Sequence, residues 1–203
     1  MDTAPTLFME SLLDLEKPEG TKVCFHPNSL IYDSRNLLSL MAIEEGYDRV
    51  FWLDSDMILS QGALTQLSHD MDVLGHDMIT GLYFKRRFPT APVILDELEE
   101  PEVIDGKPVR HIHEYMNWHN AIFPVKGCGF GCVLTSTKLL KQVWDTYSNA
   151  FLPFPWAGED YSFCHRVNLL GKQIYCDGSV RCGHVGQMVY TEQLFRAPGG
   201  DNH

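Results

Sequence analysis

Hydrophobic positions in the first half of the chain fall into alternating helical and extended patterns. Leu7, Phe8, Ser11, Leu12 and Leu15 share one helical face, and Pro5 suits the first turn. Residues 16–20 read as a turn and residues 21–25 as a short strand. Residues 31–45 carry a helical pattern with Leu37, Leu38, Met41 and Ala42 inward and Gly46 as the stop. Val50, Phe51, Trp52 and Leu53 are an unbroken apolar run, the pattern of a strand buried on both faces. Ser60 is placed to cap a helix over residues 61–70, and residues 78–82 form another strand. This alternation predicts an α/β domain with a mostly parallel central sheet flanked by helices.

The second half predicts a small β-hairpin around Asp105-Gly106, preceded by an exposed acidic stretch at residues 96–102. A strand at 133–135 leads into a helix through Leu139, Leu140 and Val143, and a helix over 159–170 ends at Gly171. Short strands follow at 173–176 and 180–182, and residues 197–203 carry little structural signal. No repeat, low-complexity tract or linker divides the chain, so residues 1–203 are read as one domain. The chain opens on a helix, where an α/β sheet of this kind ordinarily begins with a central strand.

The net charge of −11 argues against a face that tracks nucleic acid by neutralising phosphates. An acidic protein that binds a diphosphate needs a cation between the two sets of negative charge, so metal ligands are the chemistry to look for. No apolar run is long enough for a membrane span, and the first residues lack the apolar core of a signal peptide, so the expectation is cytoplasmic. The six cysteines form no C-x-x-C pair and read as free buried thiols.

The strongest chemical signal is Leu53-Asp54-Ser55-Asp56-Met57, where a buried strand ends in two carboxylates at i and i+2. At the carboxyl end of a strand in an open α/β sheet such groups face the ligand crevice, and a hard cation offsets their repulsion. The alternative is a polar turn in which one aspartate caps the next helix. Gly158-Glu159-Asp160 opens a helix, which the dipole alone would explain, or it places a carboxylate at a reaction centre. Trp156, just upstream, offers a wall for a sugar. His184, between glycines, is a surface residue or a metal ligand. Arg35, near a helix start, pairs with phosphate oxygens or makes an i,i+4 surface ion pair. The alternating glycines of Gly127-Cys128-Gly129-Phe130-Gly131 suit a tight bend beside an acceptor pocket, and Lys85-Arg86-Arg87 reads as a solvated loop or as a contact for donor phosphate or an acidic acceptor.

Together these motifs resemble the GT-A fold glycosyltransferases of the bacterial and phage-associated, family-2-like type. The resemblance spans residues 5–186 through Ser34-Arg35-Asn36, Leu53-Asp54-Ser55-Asp56-Met57, Gly81-Leu82-Tyr83-Phe84-Lys85-Arg86, the glycine-rich segment, Gly158-Glu159-Asp160 and His184. It implies one GT-A (Rossmann-like, nucleotide-diphospho-sugar transferase) domain. It also implies that Asp56 binds the metal directly and that Asp54 binds the donor ribose or assists the metal. His184 becomes a further metal ligand, and Arg35 touches the diphosphate or ribose. Asp160 becomes the base of an inverting reaction, with Glu159 orienting acceptor or metal-bound water. The implied cofactors are Mn²⁺ or Mg²⁺ and a UDP- or GDP-linked sugar donor; the implied partner is a carbohydrate or other hydroxyl acceptor.

Members of that family begin with a strand of the kind "iliaiP", and this chain starts just after that point. Strand addition by a second copy, and with it a homo-oligomer, is therefore an expectation. A catalytically silent sugar-nucleotide-binding module is the alternative function. A nucleotidyltransferase, which would carry a Gly-rich phosphate loop, and a metal-dependent hydrolase built on Asp54, Asp56 and His184 are further rivals.

Overall fold

Pro5 sets the entry of the first helix, α1 (Thr6–Asp14), which turns Phe8, Ser11 and Leu12 inward. The computed structural model describes residues 4–27, 29–105, 107–186 and 189–195. The turn residue Gly106 and the tail at 197–203, both read from sequence, lie outside them. Helix α2 (Ile31–Glu44) runs out at Gly46, whose φ of 77° is the left-handed conformation that glycine tolerates. There follow β1 (Arg49–Leu53), β2 (Met57–Ile58), α3 (Ala63–Leu74) and the wholly buried β3 (Met78–Leu82). Ser60 does not cap α3; Gly62 holds the N-cap position, with no side-chain bond.

The hairpin is longer than the pattern predicts. It comprises β4 (Ile94–Ile104) and β5 (Lys107–Glu114), and the acidic stretch forms the mostly exposed part of β4. Next come β6 (Ile122–Val125), β7 (Gly127–Cys128) and β8 (Cys132–Ser136). The Ser136 hydroxyl accepts the Leu139 N–H at 3.0 Å and caps α4 (Thr137–Tyr147). Helix α5 (Glu159–Leu169), β9 (Ile174–Arg181), β10 (Gly183–Val185), β11 (Val189–Tyr190) and α6 (Glu192–Phe195) complete the described chain.

The central sheet has the order β1-β8-β3-β9-β6 and is mixed, mainly antiparallel, which corrects the expectation of a mostly parallel sheet. The only parallel pair among the described strands is β3–β9. Strands β1, β3 and β9 do run the same way, as the helix–strand alternation requires. The difference comes from β8, which inserts between β1 and β3 in the opposite sense, and from β6, which closes the far edge against β9. Two three-stranded sheets accompany it, in the orders β11-β10-β2 and β5-β4-β7.

The sheet separates two apolar layers. One gathers Trp52, Phe130, Phe151 and Phe163 with α4 and α5; Phe151 and Phe163 stack at 4.5 Å. The other gathers Phe8, Leu12, Leu64, Leu67, Ile79 and Leu134 with α1 and α3.

Three local expectations give way to tertiary structure. Residues 21–25 make no strand. Helix α2 buries Arg35, Asn36 and Ser39 instead of its leucines, and Leu37 is exposed. In β1 only Trp52 is fully buried. The glycine-rich segment packs closely on the core: a Cβ on Gly129 would collide with Tyr83 Oη, and one on Gly131 would lie 2.9 Å from Met57 Sδ. Five cysteines are buried free thiols, as expected, but Cys24 is exposed.

Behind the sheet, Asp70 of α3 and Asp177 of β9 form a buried carboxyl pair. Oδ2 of each lacks a hydrogen-bond partner among the described residues, and the two carboxyls are within hydrogen-bonding reach of each other. Burial and the Asp177 carboxylate push Asp70 up to about 6. A raised carboxyl contributes stability below its unfolded value of 3.8 and loses it as pH rises through 6. Asp70→Asn is therefore expected to stabilise the protein by up to about 3 kcal/mol at pH 7.5. Thermal melts at pH 7.5 and 4.5 check this, since the gain should shrink to about 1 kcal/mol at the lower pH.

Candidate active site

Strand β1 delivers the two aspartates to the end of the sheet. The turn after Leu53 closes through the Met57 N–H donating to Asp54 O at 3.2 Å, and β2 then pairs with β10 so that Met57 stands opposite His184. The Val185 N–H donates to Asp56 O at 2.7 Å. This pairing brings His184 Nε2 to 3.5 Å from Asp56 Oδ1.

The tautomer of His184 follows from its other nitrogen. Nδ1 lies 2.8 Å from the Phe84 carbonyl, which can only accept, so Nδ1 carries a proton; in the neutral ring Nε2 then turns its lone pair toward Asp56. Asp56 Oδ1 is buried and makes no hydrogen bond. Two acceptors thus face one another, an arrangement relieved by a cation between them or by a second proton on the imidazole. Oδ2 of Asp56 pairs with Arg86 at 2.6 Å, and Arg86 also donates to Val185 O. Burial alone would raise the Asp56 carboxyl, but His184 once it carries its second proton, together with Arg86, outweighs it and holds the group below the ordinary carboxylate range.

The second half of the site is built around Arg35, whose side chain is only 7% exposed. Its guanidinium donates from Nη1 to Glu159 Oε1 at 2.7 Å and from Nη2 to Asp54 Oδ1 at 3.0 Å, while its face covers the Phe130 ring at 4.9 Å. The next residue, Asn36, bonds Asn149 and accepts the Phe151 N–H. These bonds explain why α2 turns a polar stripe inward: Arg35 joins β1 to the start of α5. Arg35 is therefore no surface i,i+4 pair, and its guanidinium is committed to two carboxylates. Asp160, beside Glu159, accepts the Tyr161 N–H at 2.7 Å; burial first, then the Glu159 charge, push it up to about 6. Trp156, half-buried just before α5, stacks on Phe154 at 5.4 Å.

The structure therefore brings Asp56 to His184 and, separately, Arg35 to Asp54 and Glu159. Among the described residues no three His, Cys, Asp or Glu side chains converge as a metal site, because Asp54 turns to Arg35. The Asp56–His184 pair alone supplies the carboxylate oxygen and imidazole nitrogen suited to Mn²⁺, and its orphaned buried oxygen fits a cation. The basic run offered Arg86 as a solvated residue or a phosphate contact, but not its pairing with Asp56. The Phe84 carbonyl that orients His184 escaped the reading of the sequence, because it carries no side-chain signal at all.

No family model matches the sequence, and no match to a curated protein was found. Similarity appears at the level of structure. A solved structure of apo UDP-glucose pyrophosphorylase superposes with a TM-score of 0.43 at 8% identity, over 75% of this chain and 53% of that one. The crystal structure of A197 from STIV superposes with a TM-score of 0.59 at 18% identity, over 81% of this chain and 72% of that one. This chain shares its mixed α/β fold with A197.

Proposed function

We propose that this protein is a metal-dependent glycosyltransferase that moves a sugar from a UDP- or GDP-linked donor to a hydroxyl acceptor. The observation that carries the reading is the buried, unbonded Oδ1 of Asp56, 3.5 Å from His184 Nε2 and two residues from Asp54 at the end of β1. Bound Mn²⁺ or Mg²⁺ supplies Lewis-acid stabilisation to the departing diphosphate, and Asp56 and His184 are the residues that would hold it.

The chain's own groups account for the rest. Arg35 fixes Asp54 and Glu159 in place from beneath the site. Arg86, 47% exposed, is free to exchange its contact with Asp56 for a phosphate oxygen of the donor. Asp160 takes the acceptor proton as its oxygen attacks, and a carboxyl raised to about 6 is both ionised at neutral pH and basic enough to accept it. Trp156 offers its face to an acceptor sugar beside that base.

Calorimetric titration of UDP and GDP, with and without Mn²⁺, tests the reading on wild type and Asp56→Ala. Manganese-dependent binding that the substitution weakens at least about tenfold is the expected result. Equal binding with and without metal, or to both proteins, would sink it. Donor binding without turnover would leave the non-catalytic binding module as the better description.

A further inference from the structure

Asp56 divides its two oxygens between unlike neighbours. Oδ1 is closed to solvent and unbonded, with His184 Nε2 at 3.5 Å, while Oδ2 takes the Arg86 guanidinium at 2.6 Å. Of the three side chains Arg86 is the exposed one, at 47% against 23% for Asp56 and 12% for His184. The same guanidinium nitrogen donates to Val185 O at 3.3 Å, so Arg86 reaches from the β1–β2 turn across to β10. Whatever approaches Oδ1 from solvent must displace a side chain, and Arg86 is the one with room to go.

The loop that carries Arg86 is tied at its base. The Lys85 N–H donates to Ala91 O at 2.9 Å, Thr90 Oγ1 donates to Lys85 O at 2.7 Å, and Lys85 Nζ pairs with Glu114. Residues 86–89, between those ties, are exposed. Arg86 therefore leaves Asp56 by turning its own side chain, with no strand to unpair. A divalent cation at Oδ1 and a guanidinium at Oδ2 would share one carboxylate, and their like charges repel in a site largely shielded from water. A diphosphate reverses the balance, because its oxygens accept the same guanidinium in a charge-assisted pair.

We propose that Arg86 is a latch: it serves Asp56 as a stand-in cation and holds the Asp56–His184 pair against free divalent metal until a nucleoside diphosphate draws it away. The inference rests on the metal-dependent transferase reading and adds to it a rule of assembly. Cation and diphosphate enter together, and by linkage each raises the affinity of the other through the one side chain that must move. The sign of a substitution separates this role from a structural one. Removing a residue that merely propped Asp56 would loosen the pair and weaken cation binding; removing a competitor strengthens it.

The test reads Mn²⁺ binding from the free-ion signal in electron paramagnetic resonance, without nucleotide and with UDP or GDP, corrected for Mn²⁺ held by nucleotide alone. It compares wild type, Arg86→Gln, Asp56→Ala, their double variant, and Arg87→Gln, which removes the same charge one residue away. Without nucleotide, Arg86→Gln is expected to bind Mn²⁺ about tenfold tighter than wild type, while Arg87→Gln stays near wild type. Nucleotide should then raise the Mn²⁺ affinity of wild type at least about fivefold more than that of Arg86→Gln. Equal or weaker binding by Arg86→Gln, at a site that Asp56→Ala still abolishes, would overturn the latch and leave the metal reading standing. An equal gain in Arg87→Gln would reduce the effect to general charge, and a gain that survives in the double variant would place it at another site; either overturns the latch. No Mn²⁺ binding by any of these proteins, with either nucleotide, would remove the metal reading and the latch together.

Discussion

Replacing Arg35 by methionine is expected to lower the free energy of unfolding by about 3–5 kcal/mol, as read from urea titration. The size follows from what is left behind. Glu159 is 17% exposed and Asp54 36%, and both accept from the one guanidinium. Without it, two partly desolvated carboxylates face each other beside Asp160, with no cation between them. Lysine should rescue little, because a single ammonium cannot span two acceptors and cover the Phe130 ring as the planar fork does. Adding Asp54→Asn and Glu159→Gln to the methionine variant should recover much of the loss, since the cost lies in the stranded charges. A loss below about 1 kcal/mol would place the arrangement with ordinary surface ion pairs.

Substituting Asp160 by asparagine is expected to reduce kcat by about 10²- to 10⁴-fold while leaving nucleotide affinity near that of wild type. The wild-type rate should fall on the acid side with an apparent pKa of about 6, tenfold per pH unit below it, because the base must be ionised. Two variants move that limb in opposite directions. Glu159→Gln removes a neighbouring negative charge and shifts it to lower pH; Arg35→Met removes a positive one and shifts it higher. A profile indifferent to both would dismiss Asp160 as the base. The shift also bears on stability. The raised carboxyl stabilises the fold most below 3.8, and that contribution is lost as pH rises through 6, so the ionised form, which the proposed reaction requires, is the less stable one.

The parts of this fold that local pattern controls were legible in the sequence. The strand that carries Asp54 and Asp56, the helix opened by Glu159 and Asp160, and the left-handed stop at Gly171 all follow from periodicity and terminal chemistry. What escaped depends on contacts remote in the chain. The polar inward face of α2 makes sense only once Arg35 meets Glu159, 124 residues away. The antiparallel insertion of β8 leaves no mark on its own five residues. Residues 21–25 have strand chemistry without a paired neighbour, and β propensity expresses itself only against one. Within the site, the residue types were readable. That Asp54 turns to Arg35 while Asp56 turns to His184 was not, because two carboxylates at i and i+2 carry no label for their partners.

The small sheet formed by β2, β10 and β11 sets an order on the making of this protein. The five-stranded sheet is complete once β9 ends at Arg181, so a nascent chain reaching that residue already holds every strand of its main sheet. It does not yet hold His184, nor the β10 backbone that fastens Asp56. Folding and competence are thereby separated in time. The ribosome delivers the five strands of the main sheet before the Asp56–His184 pair is complete, so, if that pair holds the proposed cation, a product cut short after Arg181 is expected to retain much of the core yet bind no metal at Asp56.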